Sequence, residues 1–202
     1  MKRTTTVLIS VALIAAALGC FHRNPPRVNL EGFGAIGIVQ FRSEVKGNIA
    51  EYATRIFIEV MVKSQPGARI KELGREDEVL RDIRANRFSP DALEALRRRF
   101  NVDAVILGTL DMSNIRPRVN LLSIISTLSV SAEVDAVLTA RLLDTRDGTT
   151  LWTDSARDHK TVAQVSVFRG GDIFFDARDP ERAYGSLIRA LVARTTRDFQ
   201  WR

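Results

Sequence analysis

The chain has 202 residues, 45% of them hydrophobic and 27% charged, with 30 Lys and Arg against 24 Asp and Glu. That composition fits one ordinary globular domain and excludes a disordered chain, a collagen-like fibre and a polytopic membrane protein. One Cys and two His exclude a disulfide framework and a four-ligand zinc site.

The amino terminus reads as a targeting segment. Met1-Lys2-Arg3 is followed by an apolar run from Val7 to Leu18 and then Gly19-Cys20, the layout of an export signal. The apolar run falls short of the roughly 20 residues a helix needs to cross a bilayer. Ala17-Leu18-Gly19-Cys20 resembles a bacterial lipobox, with Ala17 where Leu is commoner. The expected division is a signal peptide over 1–19, a lipidated amino terminus and Pro-containing spacer over 20–32, and a domain over 33–202. Cys20 is the expected lipidation site, and several acyl chains there would anchor the protein stably. Phe21, where Asp would favour inner-membrane retention, favours the outer membrane by the same resemblance.

Ala35 to Phe41 (AIGIVQF) has the continuous apolar pattern of a buried strand. A helix is expected from Gly47 to Lys63, with Ile49, Ala53, Ile56, Val60 and Met61 on its buried face and Gln65-Pro66-Gly67 ending it. A short strand follows over Ala68 to Leu73, then a short charged helix over Arg75 to Ile83 with Val79, Leu80 and Ile83 inward. Ser89-Pro90-Asp91 starts another helix: Ser caps, Pro suits the first turn and Asp suits the positive end of the dipole. That helix carries Leu93, Leu96 and Phe100. Val102 to Leu110 (VDAVILGTL) is a second buried strand. The order β-α-β-α-α-β with right-handed crossovers makes the first half of the sheet largely parallel.

The second half changes period. From Leu122 to Leu142 every second residue is apolar or small, with Ser, Thr, Glu, Asp and Arg between them, the pattern of a half-buried antiparallel strand. As one piece it would run roughly 70 Å, too long for this domain, so the core strand is expected near Ser131–Asp144. Asp147-Gly148 marks a tight turn, and Thr150 to Thr161 returns as the partner strand, with Trp152 on it. Val165–Phe168 and Ile173–Phe175 are candidate short strands. An amphipathic helix from Pro180 to Phe199, with Tyr184, Leu187, Ile188, Leu191, Val192 and Phe199 along one stripe, closes the chain. The fold class is therefore α/β: one mixed sheet, parallel first and an antiparallel hairpin second, with a C-terminal amphipathic helix.

The candidate chemistries are weak. Gly32-Phe33-Gly34-Ala35-Ile36-Gly37 spells GxGxxG, but a dinucleotide site needs a strand before the glycines and a helix within them, and here a strand follows. Ser155 and His159 stand about 13 Å apart on a strand, too far for a nucleophile and its base. Asp172, Asp176 and Asp179 lack the order of a calcium loop. Arg97-Arg98-Arg99, with Arg81, Arg84 and Arg87 upstream, reads first as a solvated helix face and next as a surface for anionic headgroups or cell-wall polymer. No nucleic-acid module accompanies it. Neither a cofactor nor a metal is expected.

Four segments together resemble a family of envelope lipoproteins: GIVQF; Ile70 to Ile83; Phe100 to Gly108 (FNVDAVILG); and Leu142 to Trp152 (LLDTRDGTTLW). The pattern is similar to the α/β domain of CsgG-type curli-secretion lipoproteins, with the amino-terminal domain of TolB and the peptidoglycan-synthase-activator lipoproteins of like architecture. The matching positions are Asp103, Ala104, Val105 and Gly108, then Leu143, Asp144, Gly148 and Trp152. The resemblance implies a binding or assembly role with no catalytic residues. Expected partners are the membrane through Cys20, an envelope protein or cell-wall component, and further copies of the chain. The alternative it raises is an oligomeric outer-membrane secretion pore subunit. Against it, the returning strand carries Asp154, Asp158 and Lys160 on one face and Arg157 and His159 on the other, and neither suits lipid. Val119–Val130 (VNLLSIISTLSV) is apolar, rich in β-branched residues and outside the expected core strand. Leu122, Ile124, Ile125 and Leu128 are accordingly the candidate interface residues.

Overall fold

Every residue of the first strand, β1 (Ile36–Val39), is buried, because this strand is covered on both faces. The computed structural model describes residues 26–119, 130–163, 166–167 and 173–200. After β1 come a two-residue β2 (Lys46–Gly47), α1 (Ile49–Ser64), β3 (Ile70–Gly74), α2 (Glu76–Asp82) and α3 (Pro90–Phe100). Three long strands follow: β4 (Ala104–Val119), β5 (Val130–Asp144) and β6 (Thr150–Ala163). Short β7 (Ser166–Val167) and β8 (Ile173–Phe175) lead to α4 (Pro180–Thr195) and a closing 3-10 turn, Arg197–Phe199.

The main sheet has the order β3-β1-β4-β5-β6. β1 is parallel to both β3 and β4, and β5 is antiparallel to β4 and to β6. The parallel and antiparallel halves, and the helix that closes the chain, are those the sequence predicts. β2, β8 and β7 form a second, three-stranded sheet. Its β2–β8 pairing requires Gly47: φ there is +113°, and a Cβ would lie 1.9 Å from the Phe175 carbonyl oxygen.

One face of the main sheet carries the large core. Ala132, Val134, Ala136, Leu138, Ala140 and Leu142 of β5 are all fully buried there, beneath α1 and α4. The expected stripe of the last helix is buried throughout, although α4 ends at Thr195 and Phe199 belongs to the 3-10 turn. The opposite face is covered only in part: Val79, Leu93 and Leu96 of α2 and α3 pack on Val39, Val105 and Leu143.

Three expectations are corrected. The buried face of α1 runs through Ile49, Ala53, Phe57 and Met61, and Ile56 and Val60 lie at its margin. The second buried strand does not stop at Leu110 but continues to Val119. Leu30, expected in the spacer, is a fully buried core residue. Its amide donates to Gln65 Oε1 at 2.9 Å, and Gln65 Nε2 donates to the Val28 and Phe199 carbonyls. The packed unit therefore begins before residue 33.

Candidate functional site

β4, β5 and β6 form a long antiparallel ribbon of three strands. Pairing of β4 with β5 runs from Ala104↔Asp144 to Val119↔Val130, and pairing of β5 with β6 runs out to Ser131↔Ala163. A register shift between Ser113 and Arg116 inserts an extra residue, so Met112 and Ile115 both reach the large core although they are three residues apart. Val119 and Val130 are cross-strand partners, so residues 120–129 are the connection of a hairpin. Leu122, Ile124, Ile125 and Leu128 belong to that connection and, like Cys20, lie outside the described residues.

Beyond α2 and α3 the second face of this ribbon is open and polar. Its rows run across the strands as Thr109, Thr139 and Ser155; Asp111, Val137 and Arg157; and Ser113, Asp135 and His159. The Thr139 and Ser155 hydroxyls are 3.0 Å apart. His159 Nδ1 is 2.8 Å from Asp135 Oδ1, the cross-strand pairing that such rows favour. Ser155 and His159 thus have separate partners and are not brought together as nucleophile and base. On the other face Asp158 meets Arg194 of α4 at 3.6 Å. The Arg194 guanidinium also donates to the Arg157 carbonyl at 2.6 Å, which ties the edge strand β6 to the helix.

The glycine motif serves packing. The Gly34 amide donates to Asp103 Oδ2 at 2.8 Å, and a Cβ on Gly37, within β1, would lie 2.6 Å from Leu73 Cδ1. Ser89 Oγ accepts from the Ala92 amide, and Asp179 Oδ1 from the Arg182 amide. Both are helix caps, so Asp179 acts as the start of α4. Among the described residues no group of His, Cys, Asp and Glu is placed to hold a metal ion, and no helix is long and apolar enough to cross a membrane.

A second feature was not singled out in the sequence. Where β1 ends, Gln40 lines two clefts, one of about 360 Å³ between β3 and α1 and one of about 520 Å³, lined also by Arg42, between α1 and α2. This is the carboxyl end of the parallel strands, where α/β sheets commonly bind ligands. Among the charges around it, Arg75 Nε donates to Asp77 Oδ1 at 3.0 Å. That bond holds the Asp77 carboxyl below its ordinary range. The only signal in the sequence is that GIVQF must end somewhere.

No family model and no curated protein matches this sequence. Solved structures do match. PelC of Paraburkholderia phytofirmans, a dodecamer, aligns with a TM-score of 0.51 at 15% identity, over 89% of this chain and 94% of PelC. The lipoprotein GNA1162 of Neisseria meningitidis aligns with a TM-score of 0.40 at 20% identity, over 63% of this chain and 83% of its own. The C-terminal domain of LpoB from Salmonella enterica gives 0.42 at 11%, over 74% and 94%. The class is thus an α/β domain with the PelC architecture. At these identities the likeness is one of fold.

Proposed function

We propose that the protein is a non-enzymatic, lipid-anchored module of the cell envelope. It is held through Cys20 to the periplasmic face of the outer membrane and binds an envelope protein or cell-wall component there. It uses no cofactor and binds no nucleic acid. The observation that carries this reading is the ribbon: β4 and β5 stay paired to Val119 and Val130 and present the apolar connection 120–129 between them. An apolar segment carried between two paired strands suits an interface. Self-association fits the same reading, since PelC, with the same fold, is a dodecamer.

The length of the ribbon also favours a second reading, a secretion pore of the curli type. Its described part carries Asp111, Arg157 and His159 on one face and Asp158 and Lys160 on the other, which opposes contact with lipid on either side.

Two experiments test the proposal. Metabolic labelling with a fatty acid should mark the wild-type protein and not Cys20→Ser, and a labelled Cys20→Ser protein would remove the anchor. A photo-crosslinking residue at position 125 should give a discrete adduct in intact cells. No adduct there, with adducts from the open sheet face instead, would move the binding site. A detergent-requiring ring that conducts ions would establish the pore.

A further inference from the structure

The chain enters the domain at a defined end. The Val28 amide donates to the Asp198 carbonyl at 3.1 Å, and the Ile36 amide to the Arg69 carbonyl at 2.9 Å. Ile36, Ile70 and Ala104, the first residues of three parallel strands, are aligned in register, and Ala104 is opposite Asp144 at the end of β5. Residues 26–36, 63–71, 97–104, 144–149 and 196–200 therefore share one end of the sheet.

That end is cationic. It holds nine Lys and Arg against five Asp and Glu, a net charge of +4, whereas the other described residues sum to −2. Some of the basic residues follow from helix chemistry: Lys63 closes α1, and Arg97, Arg98 and Arg99 close α3, where cations favour the dipole. Lys71 Nζ likewise donates to the Phe100 carbonyl at the end of α3, at 2.7 Å. Arg27, Arg69 and Arg146 close no helix, and all four are exposed. The acids are less available than the bases. Asp144 is buried beneath Arg146 at 2.8 Å, Asp103 and Asp198 are half-buried beside Arg97 and Arg27, and only Glu31 and Asp147 are exposed.

We infer that this end is a docking surface for the anionic headgroups of a lipid bilayer. The inference rests on the anchor reading above for its orientation. Cys20 is six residues from Pro26, so the acylated residue lies within about 22 Å of this end. Basic residues held that close to an anionic surface are attracted to it within a Debye length. Anchor and charge act together: the acyl chains hold the domain at the membrane, and the cationic end turns β1, β3 and β4 so that their carboxyl ends face away from it.

The test uses residues 20–202 with Cys20→Ser, so its outcome does not depend on acylation, which the labelling experiment reads separately. Sedimentation with phosphatidylglycerol/phosphatidylethanolamine vesicles should recover the protein at about 50 mM salt and release it at about 500 mM. Neutral phosphatidylcholine vesicles should not recover it. Arg69→Glu with Arg99→Glu should weaken binding by at least about tenfold. Arg178→Glu with Arg182→Glu, at the start of α4 and the opposite end of the sheet, should change it by less than about twofold. Equal losses in both variants, binding to neutral vesicles, or no binding by the folded wild type would overturn the inference. So would capture by a soluble acidic polymer without capture by anionic vesicles.

Discussion

The Leu30 amide and the Gln65 side chain, thirty-five residues apart, are joined by a buried 2.9 Å hydrogen bond. Gln65 is 2% exposed and makes two further bonds, to the carbonyls of Val28 and Phe199. One side chain thus ties the incoming segment, the end of α1 and the end of the chain together. Gln65→Leu would leave an amide and two carbonyls without this partner in a buried place. The expected cost is about 3 kcal/mol, read as a lower urea midpoint with an unchanged slope.

Trp152 and Phe199 meet edge to face at 4.5 Å between ring centroids. The contact fixes the closing 3-10 turn against β6. Phe199→Ala should destabilise the protein by about 3–5 kcal/mol. It should also shift Trp152 fluorescence toward that of a solvated indole, and an unchanged emission maximum would show that this contact does not bury the ring.

Asp144 contributes a pH dependence of known sign. Arg146 donates to both of its carboxylate oxygens, and this bonding holds the carboxyl below its ordinary range. A carboxyl with a depressed folded-state value stabilises the fold above its unfolded value, and that stability is lost as pH falls through the folded one. Asp144→Asn should therefore lower the melting temperature at neutral pH, and the difference from wild type should shrink below about pH 3. A constant difference across that range would assign the effect to packing instead.

Much of the fold is legible in the sequence, and the misses have physical reasons. The alternation from Ala132 to Leu142 needs only a two-residue period and one buried face, so β5 is plain. β4 beyond Leu110 is hidden because the shift between Ser113 and Arg116 breaks that period, and Pro117 and two arginines obscure it further. β2 has two exposed residues and carries no pattern. Leu30 is one apolar residue among polar neighbours, and its burial depends on Gln65 far along the chain. For the same reason the cationic end is invisible: its charges come from five separated segments that only the topology assembles.

One double variant tests directly whether the apolar connection between β4 and β5 is an interface. Ile124→Asp with Leu128→Asp is measured for melting temperature together with self-association and crosslinking at position 125. An interface there gives a nearly unchanged melting temperature and loss of association and adduct. A loss of several kcal/mol of stability, as expected for unpaired charges forced into a core, would contradict it, and so would a variant that still associates and crosslinks like wild type.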